Sequence, residues 1–156
     1  MEDLREEVVA YNRQQLEHIG LVQEVTVDLA TKLLNSVLRH DSSKFDKEEY
    51  WTFVDSRNSL NASKDGKDLQ YQKFLNSEAI QRHITSSPHH PEYWDTRSEE
   101  MPIEYVIQMF FDWYSRSKQR KTNMRDFWEF NISKLIKQPK ALALVTALRG
   151  YYGSED

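Results

Sequence analysis

Apolar residues recur at steps of three and four along most of the chain, a spacing typical of amphipathic α-helices. The N-terminal part shows it most clearly, with Leu16, Ile19, Val22, Val25 and Leu29 on one helical stripe. The alternation of apolar and polar residues that marks a β-strand is nearly absent. The 156 residues therefore predict an all-α fold, a single-domain helical bundle of about six or seven helices.

Capping and breaking signals predict where these helices begin and end. Pro88 ends one helix because proline disfavours helical geometry in the residue before it. Pro102 opens another, since its missing N–H is harmless in a first turn. The predicted helices cover 4–37 with a break near 26–28, 46–57, 69–85, 102–118, 124–137 and 139–149, and the clearest loop covers 58–66.

Composition narrows the class of function. The net charge of −4 argues against binding of extended nucleic acid, and the absence of cysteine excludes disulfides, zinc-thiolate sites and thiol nucleophiles. No apolar run approaches the roughly 18 residues of a membrane span, and the charged start MEDLREEVV lacks the apolar region of a signal peptide. We therefore expect a cytoplasmic protein, in the host cytoplasm if phage-encoded, with no membrane partner.

Three of the five histidines fall within eight positions, in the stretch AIQRHITSSPHHPEYW. A packed core would have to satisfy the ring nitrogens of His83, His89 and His90, so the stretch predicts a shared partner outside itself. A further histidine, His40, is followed directly by Asp41, and an imidazole beside a carboxylate is a natural chelate for a divalent metal. Taken alone, that dipeptide fits a helix cap followed by a turn better than a metal site, because so short a motif is common by chance.

Two more residues extend the pattern. Asp112 lies within FFDWY, on an otherwise apolar helix face where an unpaired carboxylate is costly, so it predicts a nearby cation. His18 lies on the N-terminal helical stretch. The candidate metal ligands are therefore His18, His40, Asp41, His83, His89, His90 and Asp112.

The order His, His-Asp, His, His-His, Asp resembles that of the HD-domain metal-dependent phosphohydrolase superfamily over roughly residues 14–120, which leaves C-terminal helices over 124–150. Residues 40–44, HDSSK, resemble the His-Asp-x-x-Lys element of the HD-GYP cyclic-dinucleotide phosphodiesterases. The Gly-Tyr-Pro element is missing and the interval from His83 to His89 is shorter. The cyclic-dinucleotide specificity of those enzymes is therefore not carried over.

A closer resemblance is to a small family of bacterial and phage proteins with no assigned reaction. Its pattern is an early histidine, then HDxSKF, then HHPEYW, then Met-Pro followed by a helix carrying Asp-Trp. The matching segments here are His18, HDSSKF at 40–45, HHPEYW at 89–94, Met101-Pro102 and Asp112-Trp113. This resemblance supports the site and leaves the substrate open.

The resemblance implies one metal held by His18, His40, Asp41 and Asp112, and a second held by His83 and His89, with His90 as an additional candidate and Asp41 as a bridge. Imidazoles and carboxylates without thiolates suit one or two ions of Mn, Fe, Co, Ni or Zn. Asp41 and Lys44 are the candidate catalytic residues. Lys44 follows Asp41 by about one helical turn and is placed to neutralise a phosphate oxygen, although an ordinary solvated lysine fits the position too.

Candidate substrate contacts complete the predicted site. Arg116 and Lys118 belong to a basic stretch, 116–125, that contains no acidic residue and could attract an anionic substrate. Tyr93 could stack on a nucleobase or fill the core, whereas Trp94 is predicted to be a core residue. Lys44 is the third candidate phosphate contact.

The leading functional hypothesis is a metal-dependent phosphohydrolase, either a phosphomonoesterase or a phosphodiesterase. Its substrate would be a nucleotide, a cyclic nucleotide or another small phosphate ester. One alternative is a di-iron oxygenase of the HD type, which uses the same ligand set to activate dioxygen. Another is a non-catalytic binding module whose metal ties helices together.

Overall fold

The computed structural model describes residues 2–62, 76–121, 124–135 and 137–152. These residues are mostly helical and contain no β-strand, which confirms the all-α prediction. The chain divides into two compact units, Met1–Leu38 and Arg39–Asp156. Over the described ranges, no helix combines the length and the apolar character needed to cross a membrane.

The first unit is a single helix, α1 (Glu2–Leu38). The predicted break near 26–28 is wrong, because the polar side chains there support the helix. The hydroxyl of Thr26 donates to the carbonyl oxygen of Val22 at 2.7 Å, one turn back, and Asp28 pairs with Lys32 at 2.8 Å, one turn on. Such bonds let a β-branched or acidic residue remain in a helix interior.

The second unit begins with a 3₁₀ turn (Ser42–Phe45), followed by α2 (Lys47–Ala62). The start near residue 46 is confirmed, but α2 continues beyond the predicted end at residue 57. The predicted loop is therefore wrong over residues 58–62, and its remainder, 63–66, lies outside the described residues. Asn and Ser disfavour a helix only mildly, and this segment has no Gly or Pro before Gly66 to stop it.

The histidine stretch comprises α3 (Glu78–Ser86) and one further turn, α4 (Pro91–Trp94). The predicted end of α3 before Pro88 is confirmed. Its predicted start is wrong where it can be tested: residues 76 and 77 form a turn and a bend, with Ser77 as the N-cap and Glu78 in the first turn. This is an ordinary start signal. The predicted residues 69–75 lie outside the described ranges.

The remaining helices are α5 (Ile103–Arg120), α6 (Met124–Asn131) and α7 (Pro139–Tyr152), with a 3₁₀ turn (Ile132–Leu135) after α6. Helix α5 packs against both α6 and α7. The predicted start of α5 at Pro102 is confirmed, since Pro102 is its N-cap. The helix predicted over 124–137 tightens into the 3₁₀ turn at residue 132.

The core of the second unit lies along one stripe of α5. The stripe consists of Val106, Met109, Phe110 and Trp113, which are all buried. Trp94, Met101, Trp128, Leu135, Ala141 and Val145 complete the buried cluster. Because the core fixes the rotation of α5 about its axis, it also fixes which side chains of α5 lie beside the stripe.

Candidate metal centre

The HDSSKF segment enters the second unit through a sharp turn at Asp41. Helix α1 has ended at Leu38, and Asp41 has left-handed backbone angles, φ 56° and ψ 14°. Aspartate is one of the few L-residues that visits this region readily. In this conformation Nε2 of His40 and Oδ2 of Asp41 lie 3.5 Å apart. Both side chains therefore reach one point where the helix has ended.

The side chain of Asp41 also meets those of three histidines. We call the four residues the histidine-rich group: Asp41, His83, His89 and His90. Their ligating atoms all lie within 4.8 Å of one another. Oδ1 of Asp41 is 3.2 Å from Nε2 of His83 and 3.6 Å from Nε2 of His89. That oxygen and the Nε2 atoms of the three histidines are buried without a hydrogen-bond partner.

A second set, which we call the α5 group, consists of His40, His89 and Asp112. Nε2 of His40 lies 3.3 Å from Oδ1 of Asp112, and the rings of His40 and His89 have centroids 4.5 Å apart. The positive partners predicted beside Asp112 are therefore the imidazole of His40 and the guanidinium of Arg116. This confirms that Asp112 and His40 converge.

The resemblance implied His89 for the second metal, and the structure places its ring in both groups. The reason is its place directly before His90 and the turn of α4, where it lies 4.5 Å from the His40 ring and 6.1 Å from the His83 ring. His18 lies on α1 in the first unit, and its role as a ligand stays a prediction.

Burial and mutual contacts set the charge of the cluster. Burial, followed by the neighbouring His89 and His83, lowers the pKa of His90 to about 2, so this ring is neutral. Burial would raise the pKa of Asp41, but interactions with His83, His89 and Lys44 outweigh it and lower that pKa well below its ordinary value. Asp41 is therefore ionised beside neutral imidazole.

The α5 group has a different balance. The close approach of Asp112 raises the pKa of His40 against the opposing effect of burial. Burial of Asp112 is likewise outweighed by His40, and the pKa of Asp112 is lowered. His40 therefore holds a proton more firmly than an isolated histidine, and a metal ion at Nε2 would have to displace it.

The donors fit a divalent metal. Buried polar atoms in proteins almost always find hydrogen-bond partners, so four unpartnered atoms facing one another are suited to sharing one ligand. Imidazole nitrogens and carboxylate oxygens bind such ions at about 2.0 to 2.2 Å. Atoms grouped within 4.8 Å need only small movements to surround one ion. This cluster could hold a metal ion.

Residues 7–148 match the sequence profile of a family described as "Family of unknown function (DUF5662)". The chain belongs to DUF5662. No curated protein and no solved structure matches it. The matched residues of this DUF5662 chain include all seven candidate ligands, from His18 to Asp112.

Two cations flank the carboxylates of the DUF5662 centre. Nζ of Lys44 pairs with Oδ2 of Asp41. Arg116 reaches the same oxygen through Nη2 at 3.3 Å, and its Nε lies 3.5 Å from Oδ1 of Asp112. The side chains of Lys44 and Arg116 are 21% and 37% exposed. Both predicted substrate contacts therefore lie at the solvent edge of the centre.

The two other predicted substrate contacts each form a cation–π pair with a neighbouring side chain. Lys118 follows Arg116 by about 200° around α5, and its Nζ lies 5.1 Å from the centre of the Tyr114 ring. Tyr93 is half-buried, and the guanidinium of Arg97 covers its ring at 3.5 Å. Their predicted contacts with substrate stay predictions. Trp94 is buried and donates to the carbonyl oxygen of Pro88 at 2.7 Å, which confirms it as a core residue.

Residues that orient the ligands were not predicted. The Nδ1 of His83 faces Glu49 at 3.4 Å and the hydroxyl of Ser43 at 3.1 Å, and the side-chain amide of Gln108 lies 3.0 Å from Nδ1 of His40. A sequence signal existed for Gln108, which precedes Asp112 by four residues and so shares its helix face. No comparable signal marked Glu49, since the adjacent acids 48 and 49 also suit the start of any helix.

Proposed function

We propose that this DUF5662 protein is a metal-dependent phosphohydrolase that acts on a nucleotide, a cyclic nucleotide or another small phosphate ester. The observation that carries the proposal is the pairing of two features at one place. Unpartnered ligand atoms face one another in the histidine-rich group, and two cations lie at its solvent edge. A divalent metal would occupy the first feature, and a phosphate would suit the second.

The ligands for the metal would come from Asp41, His83, His89 and His90, with His40 and Asp112 available for a second ion. Bound there, a metal ion supplies Lewis-acid polarisation of a phosphoryl oxygen and acidifies a water. Glu49 and Gln108 would hold the rings of His83 and His40 in place through their Nδ1 atoms. Such outer contacts orient ligands before substrate binds.

Lys44 and Arg116 would bind the substrate. A guanidinium matches two phosphate oxygens at once, and an ammonium adds a compact positive charge. Both are fixed near Asp41 by the contacts described above, so the phosphate would lie beside the metal-binding carboxylates. Positioned cations of this kind stabilise the negative charge that develops on a phosphoryl group during transfer.

Access from solvent favours this function over a metal that only ties helices together. A structural site is coordinatively closed, whereas a catalytic site keeps a position for water or substrate. His40 is about one quarter exposed, and Arg116 more than one third. The HD-domain resemblance adds support, because six of the seven residues that carry it converge here.

The test is a metal analysis combined with a substrate screen. Purified protein would be assayed for bound metals, and phosphatase activity would be measured on nucleotides, cyclic nucleotides and simple phosphate esters with added Mn²⁺, Ni²⁺ or Co²⁺ under anaerobic conditions. Phosphate release that depends on metal supports the proposal. Turnover that requires both Fe(II) and O₂ would favour the oxygenase, and a bound metal without any turnover would favour the binding module.

A further inference from the structure

The two cations at the centre are engaged by its own carboxylates. Lys44 and Arg116 both contact Oδ2 of Asp41, and Arg116 also contacts Oδ1 of Asp112. The same two oxygens are the ones nearest to Nε2 of His40, at 3.5 and 3.3 Å. A metal bound in the α5 group would meet Oδ1 of Asp112 and, beside the group, Oδ2 of Asp41, and both oxygens are already neutralised by side chains.

The histidine-rich group differs in this respect. Asp41 presents its other oxygen, Oδ1, to His83 and His89, and that oxygen is buried without a hydrogen-bond partner. The contacts of Lys44 and Arg116 are with Oδ2. A divalent ion entering the histidine-rich group would therefore leave the contacts of Lys44 and Arg116 in place, whereas an ion that entered the α5 group and also bound Oδ2 of Asp41 would have to displace both cations.

A divalent ion at these oxygens would leave Lys44 and Arg116 without their carboxylate partners. A divalent ion bound at Oδ2 of Asp41 repels an ammonium or guanidinium at hydrogen-bond distance from the same oxygen. Partly buried charges that lose their counter-charge are costly until another anion replaces it. Phosphate is suited to this place, because Arg116 can bind two of its oxygens and Lys44 a third.

The geometry points to Lys44 and Arg116 as an exchangeable cation pair. They neutralise Asp41 and Asp112 in the metal-free protein, and they transfer to a phosphate group when a divalent ion takes those oxygens. This inference rests on the proposed function and deepens it, since it makes a phosphate anion promote the binding of a metal ion in the α5 group. Metal and phosphate then bind cooperatively, each raising the affinity for the other by the same factor.

The test uses the wild-type protein, Mn²⁺ and inorganic phosphate. Mn²⁺ is titrated calorimetrically with and without phosphate at one pH, with chloride holding the ionic strength constant, and phosphate is titrated with and without Mn²⁺. We expect a tighter class of Mn²⁺ site that ignores phosphate and a weaker class that phosphate tightens on the order of tenfold. Mn²⁺ affinities that phosphate leaves unchanged would overturn the inference.

Matched variants assign the effect to the cation pair. Arg116→Gln should bind the weaker Mn²⁺ more tightly in phosphate-free buffer and lose most of the phosphate effect. Arg125→Gln is the control, because Arg125 likewise contacts a carboxylate four residues away through Nε, Glu129 at 3.1 Å, but on α6. Full phosphate coupling in Arg116→Gln would contradict the inference.

A second pair of variants covers the case in which Arg116→Gln does not fold, as judged by circular dichroism. Lys44→Gln should show the same loss of coupling, and Lys137→Gln should behave like the wild type, since Lys137 pairs with exposed Asp95 at 3.4 Å. Unchanged coupling in Lys44→Gln would overturn the role of the pair.

The outcomes separate this inference from the function on which it rests. Metal-dependent phosphate release without coupling between Mn²⁺ and phosphate overturns the inference and leaves the proposed function standing. Coupling without hydrolysis of any phosphate ester supports the inference and removes the hydrolase. If none of Mn²⁺, Ni²⁺ and Co²⁺ binds, both are overturned.

Discussion

Glu49 and Asp41 lie at opposite nitrogens of one buried imidazole. Oε2 of Glu49 is 3.4 Å from Nδ1 of His83, and Oδ1 of Asp41 is 3.2 Å from Nε2 of the same ring. If a metal ion occupies Nε2, the proton of this ring must lie on Nδ1, where the carboxylate of Glu49 and the hydroxyl of Ser43, at 3.1 Å, would stabilise it. We therefore predict that Glu49 is a positioning residue for this ligand.

Removing this carboxylate should weaken metal binding without removing a ligand. Glu49→Leu is expected to lower metal affinity by about 10- to 100-fold, the usual cost of losing such a partner. Glu49→Gln retains an oxygen that can accept from Nδ1 and should recover most of the affinity. Competition with a chelating dye measures both, with Glu78→Leu as a control at an exposed acid of α3. Wild-type affinity in Glu49→Leu would refute the role.

Alanine variants of two histidines should differ in metal content. His83 belongs to the histidine-rich group alone, so His83→Ala should lower the content from two ions toward one. His89 belongs to both groups, and His89→Ala should weaken both. Elemental analysis of dialysed protein gives the stoichiometry. If both variants keep the wild-type stoichiometry, a mononuclear site remains the better description.

Asp41→Asn should abolish activity and remove most of the bound metal. Asparagine tolerates the left-handed backbone at this position, so the fold is retained, but the substitution removes a negative charge and an anionic ligand. Metal content and circular dichroism are measured on the same preparation. A folded Asp41→Asn protein with full metal content would show that Asp41 is not a ligand.

Lys44→Ala should have a different phenotype. Arg116 still contacts Oδ2 of Asp41, so the tighter metal site and the melting temperature are expected to stay close to those of the wild type. The rate on a phosphate ester should fall about a hundredfold, the scale of losing one electrostatic stabiliser. Full activity in Lys44→Ala would make Lys44 an ordinary edge lysine and shift phosphate binding to Arg116.

The metal-free protein should lose stability as the pH falls below 6.5, the ordinary pKa of histidine. The folded state holds the pKa of His90 at about 2, so in this range only the unfolded chain takes up the proton. Each such proton contributes a slope of about 1.4 kcal/mol per pH unit. His40, whose pKa is raised, has the opposite sign, because its contribution is present at low pH and lost as the pH rises.

Denaturant unfolding at several pH values above the carboxylate range isolates this effect. His90→Asn should flatten the decline, and asparagine suits the N-cap that His90 forms for α4. At lower pH, protonation of Asp41 and Asp112 adds a further loss, since their pKa values are lowered in the folded state. An unchanged slope in His90→Asn would refute the assignment.

The candidate ligands could be predicted because each is a polar residue in an unusual sequence context. Asp112 lies in an apolar pentapeptide, and three histidines crowd one short stretch, so each demanded a partner on chemical grounds. The helices were also predictable, because a helix can bury one apolar stripe only if apolar residues recur every three to four positions. Boundaries failed where local hydrogen bonds decided them, as at Thr26.

The arrangement around the ligands depends on packing between elements. Spacing shows that Gln108, Asp112 and Arg116 share a face of α5, but it does not show that His40 approaches that face. Glu49 becomes distinctive only because α2 packs against α3 and brings it to His83. The sharing of His89 follows from the same convergence and has no local sequence signature.

The left-handed backbone of Asp41 limits which residues can replace it without loss of the centre. Among the residues that adopt φ near 56° readily, Gly and Asn lack a negative charge, and Asp alone supplies one. A glutamate would keep the charge but adopt this conformation less readily. A single substitution at this position therefore loses either the backbone geometry or the anionic ligand. Mutations here would more readily abolish the centre than change it gradually.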